Sequence, residues 1–147
     1  MGQQQLLLLV LSTVIVGLAT VAGIQAFSDN QAQASQDALV QKGTSIASDI
    51  QGLYGKPAQL GGVDDFSNVD GSAIGNRLGY GGATVDAEGA GSDGECTIST
   101  SSDQASVACT SGNAPQKVTV TFDPDNTDDD GNSRPVTTSF TSTSSSS

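Results

Sequence analysis

The hydrophobic pattern divides the chain into a uniformly apolar stretch, an amphipathic stretch and a strand-like C-terminal part. Residues 6–24 contain no charged residue, and their only polar members are Ser12, Thr13 and Thr20. As a helix, this stretch is about 28 Å long, close to the roughly 30 Å hydrocarbon thickness of a bilayer. A helix with this composition must be covered by lipid or by copies of itself, and we expect both at different times.

The helical pattern continues beyond the apolar stretch, but with a single narrow apolar stripe. The sequence Gly55-Lys56-Pro57 predicts the end of this helix. The total length is then roughly 50 residues, or about 75 Å. Residues 1–24 would form an apolar half that protrudes, and residues 25–55 an amphipathic half that packs on a small domain. The stripe comprises Ala32, Leu39, Ile46, Ile50 and Leu53.

Residues 56–94 are rich in glycine and predict an irregular connecting region. A short helix is expected between Asp70 and Leu78. The apolar residues of this region are expected to cover the helix stripe, and they are Leu60, Val63, Phe66, Ile74, Leu78 and Tyr80.

From residue 95 the pattern changes to the two-residue alternation of β-strands. Two such segments flank the turn at residues 102–104, and folding them as an antiparallel hairpin places Cys96 opposite Cys109 and Ile98 opposite Val107. Both pairs then share one face of the sheet, so the register is self-consistent. Outside the cell, where we place this part of the chain, a disulfide between the two cysteines is the expected state.

Two more alternating segments follow the hairpin. Residues 117–122 place Val118, Val120 and Phe122 on one face, and residues 134–141 place Val136 and Phe140 on one face. Residues 95–141 therefore predict a small antiparallel β-sheet domain, and residues 142–147 a flexible Ser-rich tail. The expected fold class is α+β, with a long N-terminal helix packed on this sheet.

The charge of the chain excludes several classes of partner. Five basic residues face 16 acidic ones, which gives a formal net charge of −11. Nucleic acid requires clustered Lys and Arg, and an anionic membrane surface requires basic segments. We therefore expect no nucleic-acid partner and a hydrated, soluble acidic surface.

The composition also argues against catalysis. The chain has no histidine, which removes the commonest general base and the commonest metal ligand. It contains no GxSxG, P-loop or CxxC motif. We therefore assign no catalytic residue, expect no enzymatic activity, and expect that no cofactor is required.

One acidic loop has a spacing that suits calcium. Residues 126–132 place side-chain oxygens at alternate positions before Gly131, and calcium takes six to eight oxygen ligands. Thr137 stands where an EF-hand loop has its last glutamate. The alternative is a solvated acidic hairpin loop without metal. The candidate ligands are Asp125, Asn126, Asp128 and Asp130, with Asp123 completing the shell.

The layout resembles type IV pilins and related pilin-like filament subunits. In that family an N-terminal apolar helix continues as an amphipathic half packed on a β-sheet domain, often with a C-terminal disulfide. If Met1 is the mature N-terminus, Gln5 occupies the place of the family's glutamate. If Met1 is the initiator and cleavage follows Gly2, Leu7 occupies that place. The resemblance implies that the assembly helix uses Gln5, Leu6, Leu7, Leu8, Leu9, Val10, Leu11, Val14, Ile15, Val16, Leu18, Val21 and Ile24.

The resemblance implies the structural subunit of an extracellular pilus-like filament. The subunit would be anchored in the inner membrane before assembly, would be handled by pilus-type assembly machinery, and would polymerise with other copies of itself. Two alternatives stay open. One is a monomeric, signal-anchored cell-surface protein whose β-domain binds a ligand or acts as a spacer. The other is a calcium-dependent adhesion or secretion module.

Overall fold

The computed structural model describes residues 2–142, and it has an α+β fold. The elements are helix α1 (Gly2–Tyr54), a 3₁₀ helix (Ala58–Leu60), helix α2 (Gly71–Arg77) and five strands. The strands are β1 (Thr84–Asp86), β2 (Glu95–Ser101), β3 (Gln104–Thr110), β4 (Gln116–Phe122) and β5 (Val136–Ser142). They form one antiparallel sheet in the order β1-β2-β3-β4-β5. The predicted fold class is therefore confirmed.

The chain divides into two units, one comprising residues up to Ala32 and the other beginning at Gln33. The second unit contains every buried hydrophobic residue of the described chain. Helix α1 contributes one face to this core, with Leu39, Ile46, Ala47 and Ile50 fully buried and Leu53 nearly so. The predicted amphipathic stripe is therefore confirmed from Leu39 onward, and the helix ends at Tyr54 as Gly55 predicts.

A glycine brings α1 unusually close to the sheet. A Cβ atom added at Gly43 would lie 3.1 Å from Val120 Cγ2 and 3.2 Å from Cys109 Sγ. Because Gly43 lies four residues after Leu39 on the buried face, it allows the helix backbone to approach β3 and β4 closely. The sequence pattern of large apolar residues did not reveal this contact.

The β2–β3 hairpin has the predicted register. Cys96 pairs with Cys109 and Ile98 pairs with Val107. The two cysteines form a disulfide with an S–S distance of 2.01 Å, and both are fully buried. The bridge therefore lies inside the core, between the sheet and the buried face of α1.

The expectation of an irregular region before residue 95 is partly wrong. Strand β1 pairs with β2 through Val85 opposite Cys96, and a three-residue strand in a glycine-rich region gives too little alternation to be recognised. The predicted short helix is present as α2, where the Asp70 side chain accepts a hydrogen bond from Ala73 N at 2.7 Å. This is the usual N-cap arrangement.

The apolar residues of the same region do not all cover the stripe. Val63, Phe66 and Ile74 are buried, and Leu78 and Tyr80 are partly buried against the core, but Leu60 is 76% exposed. Leu60 lies in the 3₁₀ helix, none of whose residues is buried. The expectation for Leu60 is therefore wrong, because a single 3₁₀ turn directs this side chain to solvent.

An aromatic cluster closes the core at the end of α1. The ring of Tyr54 lies 5.6 Å from that of Phe66 and 5.5 Å from that of Phe122, and the last two are 5.9 Å apart. These centroid distances fall in the range of favourable aromatic pairs. The cluster joins α1, the connecting region and β4.

Strand β5 follows the acidic loop and ends the described chain. It begins at Val136 and includes Ser142, the first residue of the expected flexible tail. The remainder of that expected tail, residues 143–147, lies outside the described residues.

Candidate functional site: the apolar segment of helix α1

The apolar segment of α1 exposes its side chains on every side. Residues 6–11 are six consecutive large apolar residues, and at about 100° per residue they cover the whole circumference of the helix. No residue between 2 and 28 is charged, and Asp29 is the first. Every predicted large apolar assembly residue from Leu6 to Ile24 is between 52% and 70% exposed. Gln5, which precedes them in α1, is exposed as well.

The structure adds Phe27 to this surface. It lies one helical turn after Ile24 and is 72% exposed. The sequence interpretation ended the apolar segment at Ile24 because Gln25 interrupts the run. The spacing of three residues from Ile24 to Phe27 is the signal that could have included it.

The hydroxyl groups of the two threonines in the segment are satisfied locally. Thr13 Oγ1 donates to Val10 O, and Thr20 Oγ1 donates to Gly17 O, both at 2.8 Å. A threonine that bonds the preceding turn presents its methyl group and no free donor. These two residues therefore leave the segment compatible with an apolar environment.

Small residues leave room for close approach of another helix. A Cβ atom added at Gly17 or Gly23 would meet nothing within 4 Å. Small residues of this kind let helix backbones approach one another in membranes and in helix assemblies.

By length and composition, α1 can cross a membrane, and its most apolar stretch is wholly unburied within the chain. A signal sequence near the N-terminus would pass the same test. The exposed segment therefore indicates a membrane anchor or a signal sequence.

The candidate calcium ligands lie in the loop between β4 and β5, but Asp128 is engaged within the loop. Its Oδ1 accepts hydrogen bonds from Asp130 N at 3.1 Å and from Asn132 N at 2.8 Å, while Oδ2 lies 3.3 Å from Arg134 Nε. Asn126 Nδ2 donates to Arg134 O at 3.1 Å. These contacts connect the two ends of the loop.

Among residues 2–142, no group of three or more His, Cys, Asp or Glu side chains lies close enough together to hold a metal ion. Calcium binding stays a prediction with a direct test. If the loop binds calcium, the melting temperature rises on calcium addition and this rise disappears in Asp130→Asn, whose side chain has a similar shape. An unchanged melting temperature at millimolar calcium would contradict the hypothesis.

A side-chain hydrogen bond links the amphipathic part of α1 to the segment after α2. Tyr80 Oη donates to Asp49 Oδ2 at 2.5 Å. Partial burial, followed by this hydrogen bond and the charge of Asp49, raises the pKa of Tyr80 to about 12. The neutral phenol is therefore the form that the folded protein favours.

This pKa predicts alkaline destabilisation. Because the pKa of Tyr80 is higher in the folded than in the unfolded protein, its contribution is fully present below the unfolded pKa near 10. The contribution is lost as the pH rises through about 12. As the pH is raised, tyrosinate absorbance should show a step near pH 12. This step should be absent in Tyr80→Phe and present in Tyr54→Phe. Loss of this step in Tyr54→Phe alone would contradict the assignment.

No protein-family model, no curated protein and no solved structure matches the chain. The architecture is nevertheless pilin-like, since a long helix with an apolar N-terminal part packs its later part on a small antiparallel sheet that contains a disulfide.

Proposed function

We propose that this protein is the structural subunit of an extracellular pilus-like filament that polymerises through residues 6–24 of α1. The observation that carries the proposal is the apolar surface of this segment, which the chain itself leaves exposed on every side. An exposed apolar surface of this extent requires a covering partner.

Two environments can cover the segment in succession. In the membrane, lipid satisfies it before assembly. After extraction, only a bundle of like helices can do so. A head-to-tail array of this kind does not close and therefore grows as a filament. Burying of order 1,000 Å² per helix would contribute roughly 25 kcal/mol before entropic costs.

The second unit is suited to the outer surface of such a filament. It carries most of the charge of an acidic chain, and its core is complete without the apolar segment. An acidic surface stays hydrated and limits nonspecific association. The role is structural and needs no catalytic residue, cofactor or nucleic acid. It does need pilus-type machinery to extract the subunit from the inner membrane.

The alternative function is a monomeric surface protein anchored by the same helix. The length and composition of α1 suit a membrane span, and they are consistent with a permanent anchor as well as with a filament subunit. The two functions differ in the state of the mature protein, since the anchor keeps its helix in lipid and the filament subunit does not.

Electron microscopy of material sheared from cells, with mass spectrometry of its protein content, tests the proposal. Thin filaments composed mainly of this chain are the expected result. Recovery of the chain only from the membrane fraction, with no filaments in the sheared material, would overturn the proposal and favour the anchor.

A further inference from the structure

Strand β5 forms an open edge of the sheet. It is the last strand in the order β1-β2-β3-β4-β5, so among residues 2–142 its outer edge pairs with no other strand. All of its residues after Val136 are exposed. The opposite edge is different, because β1 has only three residues and includes Asp86. A long edge strand is a ready template for another strand.

The edge lacks the features that usually prevent pairing. Proteins protect edge strands with charges, proline, bulges or short length. Strand β5 has seven residues, all paired in regular register with β4, and contains no proline and no charge. No residue from 135 to the end of the chain is charged, although the chain carries 16 acidic residues.

Charge points to a second copy as the partner. Two molecules with a net charge of −11 repel each other over most of their surfaces. They can approach through β5 without bringing carboxylates of this strand together. This edge is therefore a surface of the second unit on which like molecules can meet.

The sequence of β5 also permits pairing with itself. In an antiparallel pair centred on Ser139, residue 136 lies opposite 142, 137 opposite 141 and 138 opposite 140. In each pair both residues lie on the same face of their strand. The core-facing sides of the two sheets therefore lie on the same side of the combined sheet. This register uses the full length of the strand.

The register also covers an exposed ring. Phe140 pairs with Val118, and Thr138 with Val120, so both lie on the core-facing side of the sheet. Phe140 is nevertheless 52% exposed. Thr138 of the second copy would lie opposite this ring and cover part of it.

We propose that β5 pairs with β5 of a second copy in an antiparallel, two-fold arrangement that joins the two sheets into one. This contact is separate from packing of the apolar helices. In a filament it would link subunits side by side, and it would also operate between subunits that do not polymerise.

Cysteine cross-linking tests the pairing in the full chain. Directly opposed antiparallel residues have Cα atoms about 4.5–5.5 Å apart, within the range of a disulfide. The substitution Ser139→Cys adds the only free thiol, since Cys96 and Cys109 are bonded to each other. The control is Thr97→Cys, an exposed position on β2, which is an inner strand of the sheet.

In detergent with a mild oxidant, Ser139→Cys should form a covalent dimer at least about tenfold faster than Thr97→Cys, because paired strands hold the thiols at high effective concentration. Equal rates, with both variants retaining the wild-type melting temperature, would overturn the proposal.

A charge exchange provides the second measurement. Ser139→Lys and Ser139→Glu each place like charges opposite one another, so each variant alone should remain unpaired in analytical ultracentrifugation. An equal mixture of the two should pair again. Failure of the mixture to pair, when the wild type does, would overturn the register.

These measurements are made in detergent and do not require filaments. Absence of filaments with intact β5 pairing would contradict the proposed function alone. Filaments of a Ser139→Cys variant that cross-links no faster than its control would contradict the pairing alone.

Discussion

Removal of residues 1–24 should leave a soluble, folded protein that forms no filaments. Residues 2–24 of the deleted segment include no buried residue, and the whole hydrophobic core of the described chain lies from residue 39 onward. The residues from Gln33 onward form a compact unit by themselves. The truncated chain should therefore keep the Cys96–Cys109 disulfide and, in light scattering without detergent, should be no larger than the β5-paired dimer.

A point substitution tests the same segment at full length. Leu11→Glu places a carboxylate in the apolar segment, which costs roughly 2.5–3.5 kcal/mol on insertion scales for an acidic residue at the centre of a membrane helix. We expect at least about a tenfold loss of filament yield. Leu11→Ile retains the apolar surface and should assemble normally.

Gln51→Glu is a second control, since it adds the same charge at an exposed position of α1 within the second unit. It should leave assembly unchanged. Filaments formed by the truncated chain, or by Leu11→Glu at wild-type yield, would show that polymerisation does not depend on this helix.

Gly75→Ala should destabilise the second unit by about 3 kcal/mol, the upper part of the range for overpacked positions. Helix α2 approaches its neighbours through two glycines four residues apart. A Cβ at Gly71 would overlap the carbonyl oxygen of Ile98, and a Cβ at Gly75 would overlap that of Gly82. Both obstacles are backbone atoms, so no side-chain rotation can relieve the overlap.

The substitution should lower the melting temperature of the truncated protein by roughly 10–20 °C. Circular dichroism during heating measures the shift. Gly52→Ala is the matched control, because Gly52 lies in α1 and a Cβ there would meet nothing within 4 Å. It should raise stability by up to about 1 kcal/mol through helix propensity. Equal melting temperatures for the two variants would contradict the packing of α2.

Local patterns in the sequence predict much of this fold. A run of apolar residues and a stripe at helical spacing indicate the extent of α1, because each signal depends on residues less than two turns apart. The hairpin register follows from strand alternation, since pairing Cys96 with Cys109 places both bridged residues on the face that holds Ile98 and Val107.

The close approaches depend on residues far apart in the chain. Gly43 contacts β3 and β4, and Gly75 contacts the segment before β1. The spacing from Leu39 places Gly43 on the buried stripe, but no residue near either glycine in the sequence shows how closely another part of the backbone approaches it. Strand β1 was missed for a similar reason, because its pairing with β2 stabilises three residues that alone carry no clear strand signal.

The sequence by itself determined that the apolar helix needs a covering partner. The rest of the chain is too polar to supply an apolar surface large enough to bury this helix. Only the tertiary structure decided which surfaces stay open. It showed that the core forms without residues 2–32 and that Asp128 accepts hydrogen bonds from its own loop. It also showed that Phe140 stays exposed on the core-facing side of the sheet. Exposure depends on what packs over a residue, and that neighbour is set by the fold and not by adjacent residues.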